Sequence, residues 1–295
     1  MTLTLQPLHP LFGAEAGGID LRKSLTPDSL RAIERAMDRY AVLVFRGQPL
    51  TQEEQLAFAR SFGTLDLGLK KATRAAANLT GYDEIIDISS VDAQGKVYER
   101  SHRKTVSNLA NQLWHSDSSF QKTPARYSIL HAVVVPAQGG ETEFADLRAA
   151  YDALTPDMQA AIESLHAPHF ALHSRIWLGE KYSQAELDAI PPAEWPLVRV
   201  HPGSKRKLLW VGIHATHVKE LTLAEGRMLL AQLLEHATQR EFVYSHAWKL
   251  QDLVMWDDRQ TMHRARRFDR TEVRDVRRTT LAGHAPAEIP ASAIS

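Results

Sequence analysis

The chain has 295 residues, 44% hydrophobic and 24% charged, the make-up of an ordinary globular protein with room for one large domain or two small ones. Lys+Arg and Asp+Glu are both 35, so the formal net charge is zero and no excess of cations is available to hold a polyanion; nucleic acid is not an expected partner. There is no cysteine, which excludes disulfides and thiolate metal sites and leaves His, Asp and Glu as the only metal ligands.

The lack of disulfides suits a reducing cytoplasm, the expected location. Met1 to Phe12 has no basic start followed by an apolar run, so no signal peptide is expected. No apolar stretch approaches the roughly 20 residues needed to cross a bilayer.

In chain order, residues 1–25 are a polar–apolar mix punctuated by Gly13, Gly17 and Gly18, read as turns. Thr26-Pro27-Asp28 opens a helix, with Thr26 as cap, Pro27 in the first turn and Leu30, Ile33, Met37 and Tyr40 on one face. Val42 to Phe45 reads as a buried strand. Thr51…Glu54 is a capping box for a second helix that stops at Gly63. Residues 64–82 read as a loop, Glu84–Ser89 as a strand, and 90–110 as a long polar loop of the kind that forms lids. Strands follow at Tyr127–Val135 and Glu141–Asp146, then a helical insert over about 147–190. Strands at Leu197–His201 and Lys207–Gly212, a helix from Thr222, and strands at Leu253–Trp256, Thr261–Ala265 and Arg274–Leu281 complete the chain. Short strands with a helical insert predict a β-sandwich or jelly roll decorated by helices.

The chemistry starts from His115 and Asp117. In an extended strand residues i and i+2 point to one face, so both could reach one metal. With a distant histidine, His263, they would make a facial triad of two imidazoles and a carboxylate, leaving the opposite side of the ion open. One histidine among fourteen carries little weight, and a bare H-x-D pattern is common. Near the end, Arg274, Val276 and Arg278 share a face if the segment is extended, and Arg277 takes the other. Two arginines facing a barrel interior are costly unless anions meet them, and a guanidinium fork fits a carboxylate. Arg266, Arg267 and Arg270 read as a solvated, charged edge.

Several segments, taken together and in order, resemble the taurine/2,4-dichlorophenoxyacetate dioxygenase family. They are Asn111-Gln112-Leu113-Trp114-His115-Ser116-Asp117, then Pro136…Gly139-Gly140-Glu141-Thr142, then Trp256-Asp257…His263 and Arg274…Arg278. Leu8–Phe12, Val42–Gly47, Arg126–Ser128 and Glu235–Phe242 resemble its phenoxyacetate branch. The resemblance implies a mainly β fold with helical insertions, a double-stranded β-helix (jelly roll), using iron(II) and 2-oxoglutarate. It covers residues 1–284 as one domain and leaves 285–295 as a flexible tail. Carried over by residue, His115, Asp117 and His263 match the metal ligands, and Thr142 and Arg274 the pair that holds the distal carboxylate of 2-oxoglutarate. Arg278 matches a residue placed for the anionic end of the substrate or for the cofactor's neighbourhood. Asn111 matches a substrate-side position, and Lys71 a lysine that assists the substrate carboxylate. One position departs from the pattern: Asp258 stands where the family usually has Asn, and either adds negative charge near the site or faces solvent.

The resemblance implies hydroxylation of an anionic aromatic substrate by molecular oxygen, on the carbon beside the ether oxygen of an aryloxyalkanoic acid. A homo-oligomer is expected. Ile176, Trp177 and Leu69 are candidate walls for a ring, and 64–110 a candidate cover. Taurine or another small sulfonate, sulfate or carboxylate is the alternative within the same chemistry. A metal-dependent hydrolase is the alternative of another class, against which stands the absence of an H-E-x-x-H helix; a non-catalytic jelly-roll binding module is a third.

Overall fold

A computed structural model describes residues 2–67, 80–92, 94–99 and 102–283. The elements run β1 (Thr4–Pro7), β2 (Ala14–Gly17), α1 (Pro27–Tyr40), β3 (Val42–Phe45), α2 (Gln52–Arg60), β4 (Ile86–Asp87), α3 (Arg103–Ala110), β5 (Tyr127–Val134) and β6 (Thr142–Asp146). The helical side follows with α4 (Leu147–Asp152), α5 (Pro156–Ile162), β7 (His166–His169), α6 (His173–Trp177), α7 (Gln184–Asp188), β8 (Ala193–Pro196), β9 (Val198–Val200), β10 (Lys207–Leu209) and α8 (Leu223–Ala237). The last strands are β11 (Val243–His246), β12 (Leu253–Asp257), β13 (Thr261–Ala265) and β14 (Asp275–Thr280).

A seven-stranded sheet, ordered β1-β2-β3-β12-β5-β14-β4, faces a three-stranded sheet, β11-β6-β13. This is the double-stranded β-helix with helical insertions. The centre of the large sheet is buried on both faces, which is why β3 reads Val-Leu-Val-Phe without alternation. Leu43, Phe45, Tyr127, Ile129, Leu253 and Met255 pack outward with α1 and α2. Val42, Val44, Leu130, Val254, Trp256 and Val276 point inward to Phe144 of the small sheet. By the same alternation Ser128 and Arg278 fall on the inner face. The outer face of the small sheet, through Ala145 and Met262, packs on Leu147, Trp210 and Leu230 of the helical side.

The helix starts obey local chemistry. Thr26 accepts from Ser29 N ahead of Pro27, and Thr51 with Glu54 closes a capping box. The expected insert at 147–190 does contain α4 to α7, but β7 interrupts it and pairs with β8. Three other expectations change, and one strand, β11, was not expected. The strand at Glu84–Ser89 shrinks to the two residues of β4. The loop at 90–110 contains α3, capped by His102, whose Nδ1 accepts from Lys104 N at 3.2 Å; histidine is outside the usual capping set. β1 and β2 form in the stretch read as turns, because β1 is fully exposed and lacks an apolar face to signal it. β11, Val-Tyr-Ser-His, edges the small sheet without an apolar run. No described helix is long and apolar enough to cross a membrane.

A buried ion pair ties the two layers together at the end of β6. Arg148, fully buried, donates to Asp146 through Nε at 2.9 Å and Nη2 at 2.8 Å, and to the Asp38 carbonyl of α1 through Nη1 at 2.8 Å. Removing one partner strands the other charge in the interior. Arg148→Met should therefore cost about 3 kcal/mol or more of folding stability by the same principle. Urea denaturation checks this, and a loss under about 1 kcal/mol would show the pair to be energetically idle.

Candidate metal and cosubstrate site

The site forms where the chain before β5 joins the small sheet. His115 and His263 pair as an isolated antiparallel bridge, with His115 N to His263 O at 3.1 Å and the return bond at 2.8 Å. Two residues on, Asp117 turns toward the large sheet. Its backbone N–H donates to Asp258 Oδ1 at 3.3 Å, and Ser128 of β5 stands 3.0 Å from its Oδ2. The ligand atoms of His115, Asp117 and His263 lie within 4.8 Å of one another, and all three residues are buried. His115 Nε2 is 4.0 Å from Asp117 Oδ1, and His263 Nε2 is 3.8 Å from Oδ2.

The donor set fits a divalent ion. His115 Nδ1 stands 2.7 Å from the Leu113 carbonyl, so it carries the proton and Nε2 keeps its lone pair. Burial lowers the pKa of both histidines and favours the neutral ligand form. Burial also opposes ionisation of Asp117, but the Arg278 guanidinium holds its carboxyl below the usual range.

Arg274 is the residue expected to hold the cosubstrate. Its side chain is buried, and burial pulls its pKa down to about 10. Among the described residues its side chain makes one hydrogen bond, from Nη2 to the Gly140 carbonyl at 3.4 Å, and its guanidinium lies over Phe268. No acidic side chain pairs with it among the described residues, a costly arrangement for a buried cation unless an anion arrives. Gly140 adopts φ +72°, and a Cβ there would stand 3.1 Å from Pro136 Cγ and 3.4 Å from Arg274 Nε. Glycine is thus what lets the strand entry pass so close to the guanidinium. Thr142, two residues on, is buried, and its Oγ1 accepts from Trp248 Nε1 at 3.0 Å. The hydroxyl proton is left to donate elsewhere.

Residues 4–280 match the family model described as "Taurine catabolism dioxygenase TauD, TfdA family". The chain belongs to this family. It is an iron(II)- and 2-oxoglutarate-dependent dioxygenase. A relative from Cupriavidus pinatubonensis, named alpha-ketoglutarate-dependent 2,4-dichlorophenoxyacetate dioxygenase, is 57% identical over 281 residues, covering 95% of this chain and 98% of the relative. A Sphingobium herbicidovorans relative, (S)-phenoxypropionate/alpha-ketoglutarate-dioxygenase, is 36% identical and covers 96% of each chain. The crystal structure of AAD-2 with Mn(II) and N-oxalylglycine superposes with a TM-score of 0.88 at 47% identity, covering 96% of this chain and 98% of that one.

Within the dioxygenase site the other expected residues separate. Asn111 ends α3, and its carbonyl accepts from Ala265 N at 2.8 Å; it lines the same cavity as Arg274. Arg278 does not present an unengaged guanidinium. Its Nη1 lies 2.6 Å from both Oδ1 and Oδ2 of Asp117, while its Nε is buried without a partner. Lys71 lies outside the described residues, as does Leu69. Ile176 and Trp177 are exposed on α6 and do not line the Arg274 cavity, but Trp177 lines the pocket beside it, which shares Leu109, Gln112 and Ala265 with that cavity.

Asp258 does not face solvent: it is wholly buried. The Ser128 hydroxyl, which has one proton, stands 2.7 Å from Asp258 Oδ2 and 3.0 Å from Asp117 Oδ2. It can donate to one of them only, so the other must bring a proton of its own. Burial and the neighbouring Asp117 raise the pKa of Asp258 well above the carboxylate range, which makes Asp258 the protonated partner. The expected gain of negative charge is thereby cancelled. Sequence reading missed Ser128 and Trp248 as members of the site. Ser128 sat inside an apolar run, where a small polar residue on the inner face was its only signal.

A second histidine–carboxylate group, Asp38, His201 and Asp257, is also compact. His201 Nδ1 accepts from Ser204 N at 3.0 Å, so the proton sits on Nε2, which donates to Asp257 at 3.0 Å. Asp257 is further engaged by Arg259. This group is a structural charge cluster whose imidazole has no lone pair to offer a metal.

Without an ion, Arg278 is the cation that neutralises the buried Asp117. Arg278→Gln should destabilise the metal-free protein by about 3 kcal/mol, and saturating Mn(II) should recover most of that loss by supplying positive charge. Thermal and denaturant melts with and without Mn(II) check this; equal metal-free stabilities would reject the counter-ion role.

Proposed function

We propose that this dioxygenase hydroxylates the carbon next to the ether oxygen of aryloxyalkanoic acids such as 2,4-dichlorophenoxyacetate. The observation that carries the site reading is a buried guanidinium, Arg274, with no acidic partner among the described residues, in a protein that also holds a compact two-histidine, one-carboxylate triad. The choice of substrate rests on the near full-length identity to the Cupriavidus relative. In this reading His115, Asp117 and His263 hold iron(II), and Thr142 and Arg274 receive the distal carboxylate of 2-oxoglutarate. The loaded centre supplies the oxidising power that places one atom of molecular oxygen on the substrate C–H.

The chain's own residues bind and orient. Trp248 occupies a lone pair of the Thr142 hydroxyl, which turns its proton toward the carboxylate that Arg274 grips with its fork. Arg278 neutralises Asp117 with one nitrogen, and its partnerless Nε remains for the anionic end of the substrate. Asn111 and Lys71 are the further substrate-side residues. The hydroxylated carbon carries both a hydroxyl and an aryloxy group. This hemiacetal breaks its C–O bond to release a phenol and glyoxylate, while 2-oxoglutarate leaves as succinate and CO2. We place this activity in one domain spanning 1–284, in a homo-oligomer, and in the cytoplasm, the last supported by the cysteine-free composition.

A panel of phenoxyacetates, phenoxypropionates, alkyl sulfates and taurine, scored by succinate formed per substrate consumed, tests the substrate class. Tight coupling with phenoxyacetates is the expected outcome; coupling to taurine alone would transfer the enzyme to the sulfonate branch. Succinate-independent turnover with zinc in the absence of oxygen would point to a hydrolase instead. Arg274→Ala should raise the dissociation constant for 2-oxoglutarate by at least about 10-fold, the loss of one charge-assisted pair. Anaerobic titration measures it, and an unchanged constant would remove Arg274 from the cosubstrate site.

A further inference from the structure

We propose that the cavity walled by Arg274 is the entry port for the dianionic cosubstrate, with Arg267 and Arg270 at its rim acting as an electrostatic funnel. The proposal rests on the reading of Arg274 as the 2-oxoglutarate anchor and extends it to the route in. The cavity, about 380 Å³, lies between α3 and the segment that follows β13. It runs alongside the metal site: Ala265 is two residues beyond His263 on the same strand, and Asn111 is four before His115.

Its lining holds four arginines, Arg266, Arg267, Arg270 and Arg274, and no aspartate or glutamate. In a chain with 35 cationic and 35 anionic side chains, that is local segregation rather than general basicity. No acid nearby in sequence forms an ion pair with Arg267 or Arg270 among the described residues, although Glu141 borders Arg266 and Arg267 in the adjoining pocket. Glu143 pairs with Arg264 at 2.7 Å and Arg266 at 3.6 Å, Asp269 accepts from Thr271, Glu272 accepts from Ala137 N, and Asp275 pairs with Arg277. Arg267 and Arg270 therefore have no acidic partner among the described residues. The rest of the wall mixes apolar side chains, Ile88, Val97, Leu109 and Phe268, with uncharged polar ones such as Ser90, Asn108 and Gln112. A cleft of one charge sign with low-dielectric walls focuses its field and raises the arrival rate of an opposite charge. The rim arginines are exposed and Arg274 is buried, so one cavity carries positive charge both at its solvent edge and at the anchor. A solvated edge would not require Arg274, a buried cation, at its inner end.

The test is stopped-flow formation of the optical band that iron-loaded, anaerobic enzyme gives with 2-oxoglutarate, at salt from 20 mM to 500 mM. R267Q/R270Q should slow association roughly 3- to 10-fold at low salt, in the range steering allows, with dissociation unchanged. The difference should vanish at high salt, where screening is short-ranged. R267K/R270K keeps both charges and should stay within about two-fold of wild type, which separates steering from a structural role. Association of a phenoxyacetate, followed by its perturbation of the same band, should show a weaker dependence on the Gln substitutions than 2-oxoglutarate does. A normal wild-type band with the same salt slope in the Gln variant would overturn the funnel alone, as would equal slowing by the Lys variant. Equal or greater slowing of the phenoxyacetate would assign the port to substrate. No band in wild-type enzyme would overturn the cosubstrate reading itself.

Discussion

The constraint on which the site depends is the carboxylate of Asp117, a charge held inside the barrel. An isolated buried carboxylate takes a proton instead of staying charged. Here it stays ionised because its surroundings are arranged for it. Arg278 meets both of its oxygens, two imidazoles stand within 4.0 Å, and the Ser128 hydroxyl reaches its Oδ2. Asp258, its closest carboxyl neighbour, avoids like-charge repulsion by holding a proton. The same arrangement explains why the histidines remain neutral: the cationic charge that Asp117 needs comes from Arg278, so neither imidazole has to supply it.

That arrangement requires two sheets. The histidines ride on the small sheet, where the backbone bridge between His115 and His263 sets their spacing. Ser128 and Arg278 come from the inner face of the large sheet, opposite. Neither sheet alone could surround a carboxylate, so the site exists only when the layers are packed. The Val42, Val254, Trp256 and Phe144 cluster that packs them therefore also sets the distance from Arg278 to Asp117. Trp256 takes part directly, since its Nε1 donates to Asp258 Oδ1 at 2.8 Å. Packing and electrostatics meet in that side chain, and a change in the core there would be felt as a change in charge balance.

How much of this was readable beforehand follows from range. Helices α1, α2 and α8 announce themselves through caps a few residues long, and β3, β5 and β12 through apolar runs; both signals are local. The metal triad was legible because His115 and Asp117 are neighbours and His263 fell in a recognisable segment. α3 was hidden by a histidine cap and a polar sequence, β1 by full exposure, and β11 by the want of an apolar run. The roles of Ser128, Trp248 and Asp258 are hidden more deeply. Each is defined by a partner 11 or more residues away: Asp117 for Ser128, Thr142 for Trp248, and Ser128 for Asp258. Asp258 shows the limit most clearly. As a letter it adds a charge, and only its burial against Asp117 reveals that it carries none.

The distribution of cations completes the argument. Arginine in this chain does three physically different tasks on neighbouring stretches. Arg148 and Arg259 are locked to acids that fold the chain over them. Arg278 balances a carboxylate whose purpose is a metal. Arg274 has no balance at all within the described protein, so its burial makes sense only if the missing charge is delivered by a ligand. A fold that tolerates that unpaired guanidinium gives up stability in the unliganded state and regains it on binding. In its proposed role the same unpaired charge would make the site selective: a neutral molecule of similar shape would leave Arg274 buried and uncompensated, whereas a carboxylate would satisfy it.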